Sequence, residues 1–329
     1  MIFRYTAESV DAGTSAGTGL KRHCGLSPTL VKVIRLHGNL EINGHFARMK
    51  TLLQEGDSVV AESPQADSPA LHLPADLPLL YQSPWLLALS KPAGMVVHPS
   101  LNKDLPDLCS LLSDQALHPV NRLDRDTTGI VLLALNGHAH WLLTQSSMKK
   151  RYLAIVHGRF AEKEGCIQAA IRRASDSIIL REAGEGGKRA ETLWQELDYF
   201  PSSDLSLVSF VLKSGRTHQI RVHARYAGCP LLGDSLYGLS SLNAAIEKSQ
   251  APEASSRLLS SGHIKLDRLM DRQALHAETL NFTDPQSKKR IHLKDPLPED
   301  MLAVLRHCGL PERVFQVRYG CRRSCRLKR

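Results

Sequence analysis

The sequence predicts a mixed α+β protein with a largely antiparallel sheet and a small N-terminal unit made of a helix and a hairpin. The larger part of the chain carries mostly short apolar runs typical of strands, and fewer stretches with helical spacing of apolar residues. A proline-rich segment separates the two parts. The predicted strands of the large unit are 85–89, 130–135, 152–156, 205–212 and 274–282, and its predicted helices are 138–147, 217–227 and 299–306. Strand 205–212 alternates in polarity, which predicts a half-buried strand.

In the small unit, a helix is predicted to begin at Pro28, because Ser27 is a good N-cap and proline suits the first helical position. Gly38 is its predicted end. A hairpin is expected at the Asn43-Gly44 turn, followed by a short strand over 58–60.

The proline-rich segment 63–78 is predicted to be a linker between a unit at 1–62 and a unit at 79–312. Residues 240–268 have weak periodicity and predict a flexible surface insertion, and residues 313–329 form a basic C-terminal tail. The length of 329 residues suits two such units.

The composition, with 42% hydrophobic and 23% charged residues, is that of an ordinary soluble protein. No apolar run approaches the roughly 20 residues of a membrane helix, and the first residues lack the apolar centre of a signal peptide. Seven scattered cysteines argue against a disulfide framework. A monomer in the cytoplasm without membrane contact is therefore expected. Cys321 and Cys325 do not have the usual zinc-ligand spacing, so no metal site is predicted.

Positive charge is concentrated at the C-terminal end of the chain. The 42 Lys and Arg residues exceed the 33 Asp and Glu residues, which gives a net charge of +9. Residues 306–329 contain eight basic residues and one acid, Glu312, and so carry +7 of charge. Such a tail attracts polyphosphate partners, although a solvated tail without a partner explains the pattern equally well.

The segment 121–128 (Asn-Arg-Leu-Asp-Arg-Asp-Thr-Thr) is followed by Gly129 and then by an apolar strand. A polar loop fixed to a buried strand is a common way to present a catalytic carboxylate, and Asp124 is the candidate. The same composition also suits an ordinary surface turn, so the loop alone does not decide between the two.

Five segments in order, spanning about 82–310, together resemble the RluA-type pseudouridine synthases, which isomerise uridine in structured RNA. They are Lys91-Pro-Ala-Gly-Met-Val-Val-His-Pro99, Arg122-Leu-Asp-Arg-Asp-Thr-Thr-Gly129, Lys150-Arg-Tyr152, Gly215-Arg-Thr-His-Gln-Ile-Arg-Val-His223 with the following Gly228 to Gly238, and Arg272-Gln-Ala-Leu-His-Ala277. Two positions depart from the family pattern. Asn121 replaces a common histidine, and Thr283-Asp-Pro285 replaces a common His-Pro pair.

The resemblance implies a pseudouridine synthase fold and a reaction without cofactor, in which one ionised carboxylate acts beside the sugar. It assigns that carboxylate to Asp124, its arginine partner to Arg221 and the ring against the base to Tyr152. A carboxylate in a water-poor pocket tends to take up a proton, so a paired guanidinium would keep it charged. On a helix beginning near Thr217, the spacing places His218, Arg221 and Arg225 on one face.

The predicted contacts to RNA and to the base extend over both units. Their residues are Arg122, Lys91, His218, Arg225, Lys32 and Arg35. Arg122 is expected to fill the gap left by a flipped uridine, and Asp126 to organise its loop. Lys91 either contacts the site or simply ends a strand. The first 62 residues resemble a small RNA-binding module of a ribosomal small-subunit protein, with basic side chains for phosphates.

The expected partner is structured RNA, with ribosomal RNA favoured over transfer RNA by analogy with that module. A transfer RNA synthase of the same family and a catalytically silent RNA-binding protein remain the alternatives. A glycoside hydrolase that uses Asp124 and Asp126 is disfavoured, because carboxylates two positions apart in one loop do not suit the roughly 5 to 9.5 Å separation across a glycosidic bond.

Overall fold

The computed structural model describes residues 1–64, 69–99, 105–175, 177–239 and 265–310. Its helices are α1 (Ala16–Cys24), α2 (Pro28–His37), α3 (Leu108–Leu112), α4 (Gly137–Gln145), α5 (Gln219–Tyr226) and α6 (Glu299–His307), with a 3-10 helix at Ser9–Asp11. Its strands are β1 (Ile2–Thr6), β2 (Asn39–Ile42), β3 (His45–Phe46), β4 (Ser58–Glu62), β5 (Leu79–Gln82), β6 (Leu86–Lys91), β7 (His118–Pro119), β8 (Thr128–Ala134), β9 (Lys149–His157), β10 (Glu164–Gln168), β11 (Ile171–Arg173), β12 (Arg181–Ala183), β13 (Glu191–Phe200), β14 (Leu205–Leu212), β15 (Leu275–Thr283) and β16 (Arg290–Lys294).

The N-terminal unit has its own antiparallel sheet, in the order β1-β4-β2-β3, and its own apolar core beneath α1 and α2. The Ser27 side chain accepts a hydrogen bond from the Leu30 amide at 3.1 Å, and α2 ends before Gly38. The hairpin of β2 and β3 turns at Asn43 and Gly44. The predicted helix, hairpin and following strand are therefore confirmed.

Strand β1 and helix α1 were not predicted. Two glycines inside α1 obscure its apolar periodicity, although Ser15 caps its start and Gly25 ends it in the left-handed conformation. At Gly19 a Cβ atom would lie 2.0 Å from the Tyr5 hydroxyl oxygen, so the absent side chain is what lets β1 pack against the helix.

The large unit contains a ten-stranded sheet among the described residues, with the main order β10-β13-β14-β9-β15-β8-β6-β5. Strand β16 pairs with β15, and β7 pairs with β8. Only the pair of β8 and β15 is parallel among the described strands. A mixed α+β fold with a largely antiparallel sheet is confirmed.

Both faces of the large sheet are covered. On β14, Val208 and Phe210 belong to the core on the side of α5, whereas Leu205 and Leu207 belong to the core against α6. The prediction that 205–212 is half-buried was therefore wrong, because this strand is central and helices cover the sheet on both sides.

Strand β15 runs parallel beside the end of the 121–129 loop, with Ala277 opposite Gly129. Gly129 has a φ of +113°, and a Cβ there would lie 2.4 Å from the Ala277 carbonyl oxygen. We expect Gly129→Ala to lower the free energy of unfolding by about 3 kcal/mol or more, from backbone strain and overpacking together. Urea unfolding measures the loss.

Gly186→Ala is the matched control, because its φ is +76° and no atom lies within 4 Å of a Cβ there. Its expected cost is only the left-handed backbone strain, about 1 to 2 kcal/mol. Equal losses of unfolding free energy in the two variants would show that the close approach of β15 adds nothing to the cost of a side chain at Gly129.

The described second half of the predicted 63–78 linker packs against the large unit. The His72 amide donates to the Leu112 carbonyl at 2.8 Å, and Leu77 is buried in the core near α3. Apolar side chains that alternate with the prolines therefore attach this half of the predicted linker to the large unit. Most of the predicted insertion at 240–268 and all of the basic tail at 313–329 lie outside the described residues.

Candidate active site

The loop that carries Asp124 joins β7 to β8 and is held by the residues around it. The Asp124 carbonyl accepts from the Thr127 amide at 3.1 Å, and the Thr127 hydroxyl accepts from the Gln273 side chain at 3.1 Å. Arg272 donates to the Asp126 carbonyl at 3.1 Å. Backbone and side-chain bonds therefore fix the position from which the Asp124 carboxylate projects.

Asn121 takes a structural part in this loop. Its side-chain nitrogen donates to the Ile130 carbonyl at 2.9 Å, and its side-chain oxygen accepts from the Leu132 amide at 2.7 Å. One side-chain amide thus satisfies a donor and an acceptor of β8. A neutral amide meets this need without any titratable group.

The two oxygens of the Asp124 carboxylate have different surroundings. Oδ2 accepts from Arg221 Nη1 at 2.9 Å, while Oδ1 lies 3.9 Å from His218 Nε2, which is too far for a hydrogen bond. The Asp124 side chain is 25% exposed. One oxygen is therefore held by the protein and the other is open to the cleft.

Arg221 is buried in the first turn of α5 and is shared by two carboxylates. Its Nε and Nη2 donate to the two oxygens of Asp234, each at 2.7 Å, and its Nη1 reaches Asp124. Its guanidinium lies 5.0 Å from the centre of the Tyr237 ring. The two carboxylates raise the pKa of Arg221 against the opposing effect of burial. A permanent positive charge therefore stands behind Asp124.

The predicted proximity of Arg221 and Asp124 is found, but the helix differs from its prediction. It begins at Gln219, and His218 precedes it in a left-handed conformation. The contact of Arg221 with Asp234 was missed. A buried guanidinium needs a carboxylate that can accept two hydrogen bonds from it. Asp234, in the Gly228 to Gly238 segment, was the residue to consider for that part.

Tyr152 lies on β9 with its side chain in the same pocket as Asp124. Leu123, Ile220 and Leu275 line that pocket beside it. Burial raises the pKa of Tyr152, so the phenol is neutral. The ring therefore gives an apolar wall next to the carboxylate.

A cleft of about 1090 Å³ opens from Asp124 and Tyr152. Of the described residues that line it, five are basic and one is acidic, Asp124. The basic residues are Arg122, Lys149, Lys150, Lys213 and Arg216. Four of them were not predicted as site residues, since they converge from two strand ends and a loop only in the folded chain. These are Lys149, Lys150, Lys213 and Arg216. The cleft attracts polyanions and directs them to a single carboxylate.

Lys91 does not face this cleft, which corrects its assignment to RNA contact. Its side chain is fully buried, and Nζ donates to the carbonyls of Pro92, Met95 and Arg125 at 2.7 to 2.8 Å. Burial lowers the pKa of Lys91 to about 7, while three carbonyl acceptors favour its ammonium form. Lys91 therefore joins the loop that follows β6 to the loop that carries Asp124, from the interior of the protein.

The remaining predicted RNA contacts are distributed unevenly. Arg122 is exposed at the rim of the cleft, and His218 lines the pocket around Asp124. Arg225 is partly buried near Asp234 and Tyr237, and its contact with RNA stays a prediction. Lys32 and Arg35 are exposed on α2. Asp126 pairs with Arg125 at 2.8 Å and holds the Gly94 amide, as an organiser of its loop.

In the part of the chain that the structure describes, no cluster of three or more metal-ligating side chains is found. Cys321 and Cys325 lie outside it. No described helix has the length and the apolar content needed to cross a membrane.

The fold and the cleft can be compared with known proteins. Two solved human proteins, RNA pseudouridylate synthase domain containing 1 and 4, match with TM-scores of 0.52 and 0.50 at 23% and 22% identity, each over 71% of this chain and over 90% and 94% of their own. The common fold is therefore that of pseudouridylate synthases. The family model described as RNA pseudouridylate synthase matches residues 86–226.

An uncharacterized RNA pseudouridine synthase of Bacillus subtilis is 33% identical over 86% of this chain and 95% of its own length. The ribosomal large subunit pseudouridine synthase D of Nitrosomonas europaea is 33% identical over 82% of this chain and 78% of its own. The chain belongs to the RluA-type family of RNA pseudouridine synthases, which are isomerases that convert uridine to pseudouridine in RNA.

Proposed function

We propose that this chain isomerises uridine in structured ribosomal RNA, with Asp124 as the catalytic carboxylate, Arg221 as its ion-pair partner and Tyr152 as the ring that faces the base. The supporting observation is the asymmetry of Asp124, whose Oδ2 is bonded to the buried Arg221 while Oδ1 opens into a cleft with basic walls. Two routes use such an oxygen, attack on the anomeric carbon of the ribose or removal of a proton from the neighbouring carbon.

Along either route the bond between the anomeric carbon and uracil N1 breaks, the base turns, and a bond to C5 forms. The proton on C5 leaves to solvent and N1, freed from the sugar, takes up one proton, so the reaction balances without oxidant or group donor. Tyr152 supports the turn because stacking on one face of uracil contributes about 1 to 3 kcal/mol and is tolerant of rotation. Arg122, exposed at the rim, is suited to occupy the place of the flipped nucleotide.

Ribosomal RNA is the proposed substrate because the relatives named for a target, such as the Nitrosomonas europaea protein, are named for the large ribosomal subunit. The same relatives suit a location in the cytoplasm. A monomer is proposed from the sequence alone. Residues 1–62 are the proposed RNA-binding module, residues 79–312 the proposed catalytic unit, and residues 313–329 a basic tail that attracts phosphate. Lys21, Lys32, Arg35, Arg48 and Lys50 are exposed on the module, whereas Arg22 is bonded to the buried Asp11 at 2.6 Å.

A charge-removal experiment tests the module. We expect the double variant Lys32→Ala, Arg35→Ala to bind substrate RNA about tenfold more weakly and to reduce the slope of log K against log salt by up to about 2, because two phosphate contacts are lost. The rate on bound RNA should stay unchanged. Fluorescence anisotropy across a salt series measures both quantities.

The matched control removes the same charge at the start of β16, with Lys289→Ala just before the strand and Arg290→Ala at its first residue, both exposed and outside the cleft. It should leave the slope nearly at the wild-type value. Equal effects of the two double variants would mean that the module makes no specific contribution.

The function itself is tested by mapping pseudouridine in total RNA from cells with and without the gene. A ribosomal site that disappears on deletion supports the proposal. A missing transfer RNA site would redirect it to that substrate. Purified protein should also release tritium from RNA labelled at uracil C5. No site lost in cells and no release above background would favour the silent RNA-binding alternative.

A further inference from the structure

His218 lies beside Asp124 and has a backbone conformation that is uncommon for residues other than glycine. It precedes α5 with φ 58° and ψ 21°, the left-handed region that residues other than glycine enter at a cost. Its side chain is 13% exposed and lines the pocket that holds Asp124 and Tyr152. Backbone strain of this kind is common at functional sites, where the surrounding structure holds the residue in place.

The hydrogen bonds around Tyr237 determine which nitrogen of His218 carries the proton. The Tyr237 hydroxyl oxygen accepts from the Arg181 amide at 2.9 Å and lies 2.8 Å from His218 Nδ1. A hydroxyl has one hydrogen to donate, and among the described atoms Nδ1 is the acceptor within reach of it. Burial raises the pKa of Tyr237, which keeps that hydrogen on the oxygen at neutral pH. Nδ1 is then the acceptor, and a neutral ring has its proton on Nε2.

The charges around His218 support a neutral ring. Burial lowers the pKa of His218, and the neighbouring Arg221 and Arg181 act in the same direction, while Asp124 and Asp234 oppose them. The result is an Nε2–H group directed to the side of the pocket where Asp124 Oδ1 lies, 3.9 Å away. The separation is too long for a direct bond, so both groups remain available to a substrate that lies next to them.

We propose that His218 is a further catalytic residue, whose Nε2–H donates a hydrogen bond to O2 of the target uracil as the base leaves the sugar. The inference rests on the proposed function of Asp124. When the bond to N1 breaks, its electron pair stays on the base and is shared by N1 and the adjacent O2. Of the substrate oxygens at the junction of sugar and base, O2 is the one that gains negative charge, so a fixed donor there stabilises the transition state. His218 keeps its proton throughout, and Tyr237 is the positioning residue that fixes the donor.

The first test needs no substrate and measures the tautomer directly. Nitrogen NMR of the full chain with ¹⁵N-labelled histidine, with the His218 signals assigned by their loss in His218→Asn, should show at pH 7 a protonated Nε2 and an unprotonated Nδ1. Tyr237→Phe should abolish this preference. A protonated Nδ1 or a charged ring in the wild type would overturn the proposal.

The second test compares two substitutions of His218, each of which places an amide near one of the two ring nitrogens. Asparagine tolerates the left-handed backbone and places its amide near Nδ1, whereas glutamine places its amide nitrogen near Nε2. We expect His218→Asn to slow single-turnover conversion of the mapped RNA about 100-fold, and His218→Gln to recover a large part of that loss. Equal losses would contradict a donor at the ε position.

The last test identifies the accepting atom. The same RNA is made with 2-thiouridine at the target position, so that a weakly accepting sulfur replaces O2. The penalty for His218→Asn should shrink to below about fivefold on this substrate, because the removed bond is already weak. An undiminished penalty would overturn the assignment to O2. If the wild type converts neither RNA, the proposed function fails, whereas the NMR result still stands or falls by itself.

Discussion

Replacing Asp124 with asparagine is expected to lower the rate of pseudouridine formation by at least about 1,000-fold while leaving RNA affinity within about threefold of wild type. An amide has nearly the same shape and can still accept from Arg221 Nη1, but it cannot supply an ionised oxygen to the sugar. Arg122, Lys150 and Arg216, which line the cleft and are expected to meet phosphates, are unchanged. Removing one negative charge from a basic cleft should, if anything, tighten binding slightly.

Tritium release under single-turnover conditions measures the rate, and fluorescence anisotropy measures the affinity. Asp126→Asn provides the control, since this carboxylate lies two residues away in the same loop but pairs with Arg125. Its loss should cost at most about tenfold in rate, through loop order alone. If Asp124→Asn retained normal turnover, or if the two variants were equally inactive, Asp124 would lose its assigned role.

The positions and burial of strands could be anticipated only where local signals agree with the tertiary structure. Runs such as 130–135 have enough consecutive apolar residues to indicate a buried strand, and β8 is indeed buried along its full length. Strand 205–212 shows the limit of that approach. Ser206 alternates with the leucines at 205 and 207, which predicts a solvent-facing side, yet Ser206 is buried and its hydroxyl donates to the Gly158 carbonyl at 2.8 Å.

The pairing of Asp124 with Arg221 could be anticipated from the family resemblance, whereas spacing alone did not indicate it, since 97 positions separate the residues. Lys91 shows the opposite case. The sequence left open whether Lys91 contacts the site or simply ends a strand, and a lysine is expected to be exposed unless its charge is compensated. Three carbonyls that converge on Nζ reverse that expectation, and their convergence depends on the fold of two distant loops.

Asp234→Asn is expected to lower the free energy of unfolding by about 3 to 5 kcal/mol and to abolish most of the activity. Asp234 is buried, and both its oxygens are bonded to Arg221, with Oδ1 also accepting from the amides of Leu236 and Tyr237 at 3.0 Å. The neutral variant leaves the Arg221 guanidinium in the interior with Asp124 as its one remaining carboxylate partner among the described residues. Urea unfolding and single-turnover rates measure the two effects.

Glu182→Gln is a control of the same chemistry at an exposed position. Glu182 pairs with Arg172 at 2.8 Å, and the two side chains are 42% and 52% exposed, so water replaces the lost partner and the cost should stay below about 1 kcal/mol. Equal costs for Asp234 and Glu182 would mean that burial of the Arg221 pair has no energetic consequence.

A double variant separates the structural part of this pair from the catalytic part. Arg221→Met alone should also destabilise the protein, because it leaves the Asp234 carboxylate buried without its cation. Combining it with Asp234→Asn removes both charges, so the double variant should be more stable than the sum of the two losses predicts, by about 1 to 3 kcal/mol. Activity should not recover with stability, because Asp124 then has no guanidinium behind it. Recovery of both together would mean that Arg221 only supports the fold and does not prepare the carboxylate for the sugar.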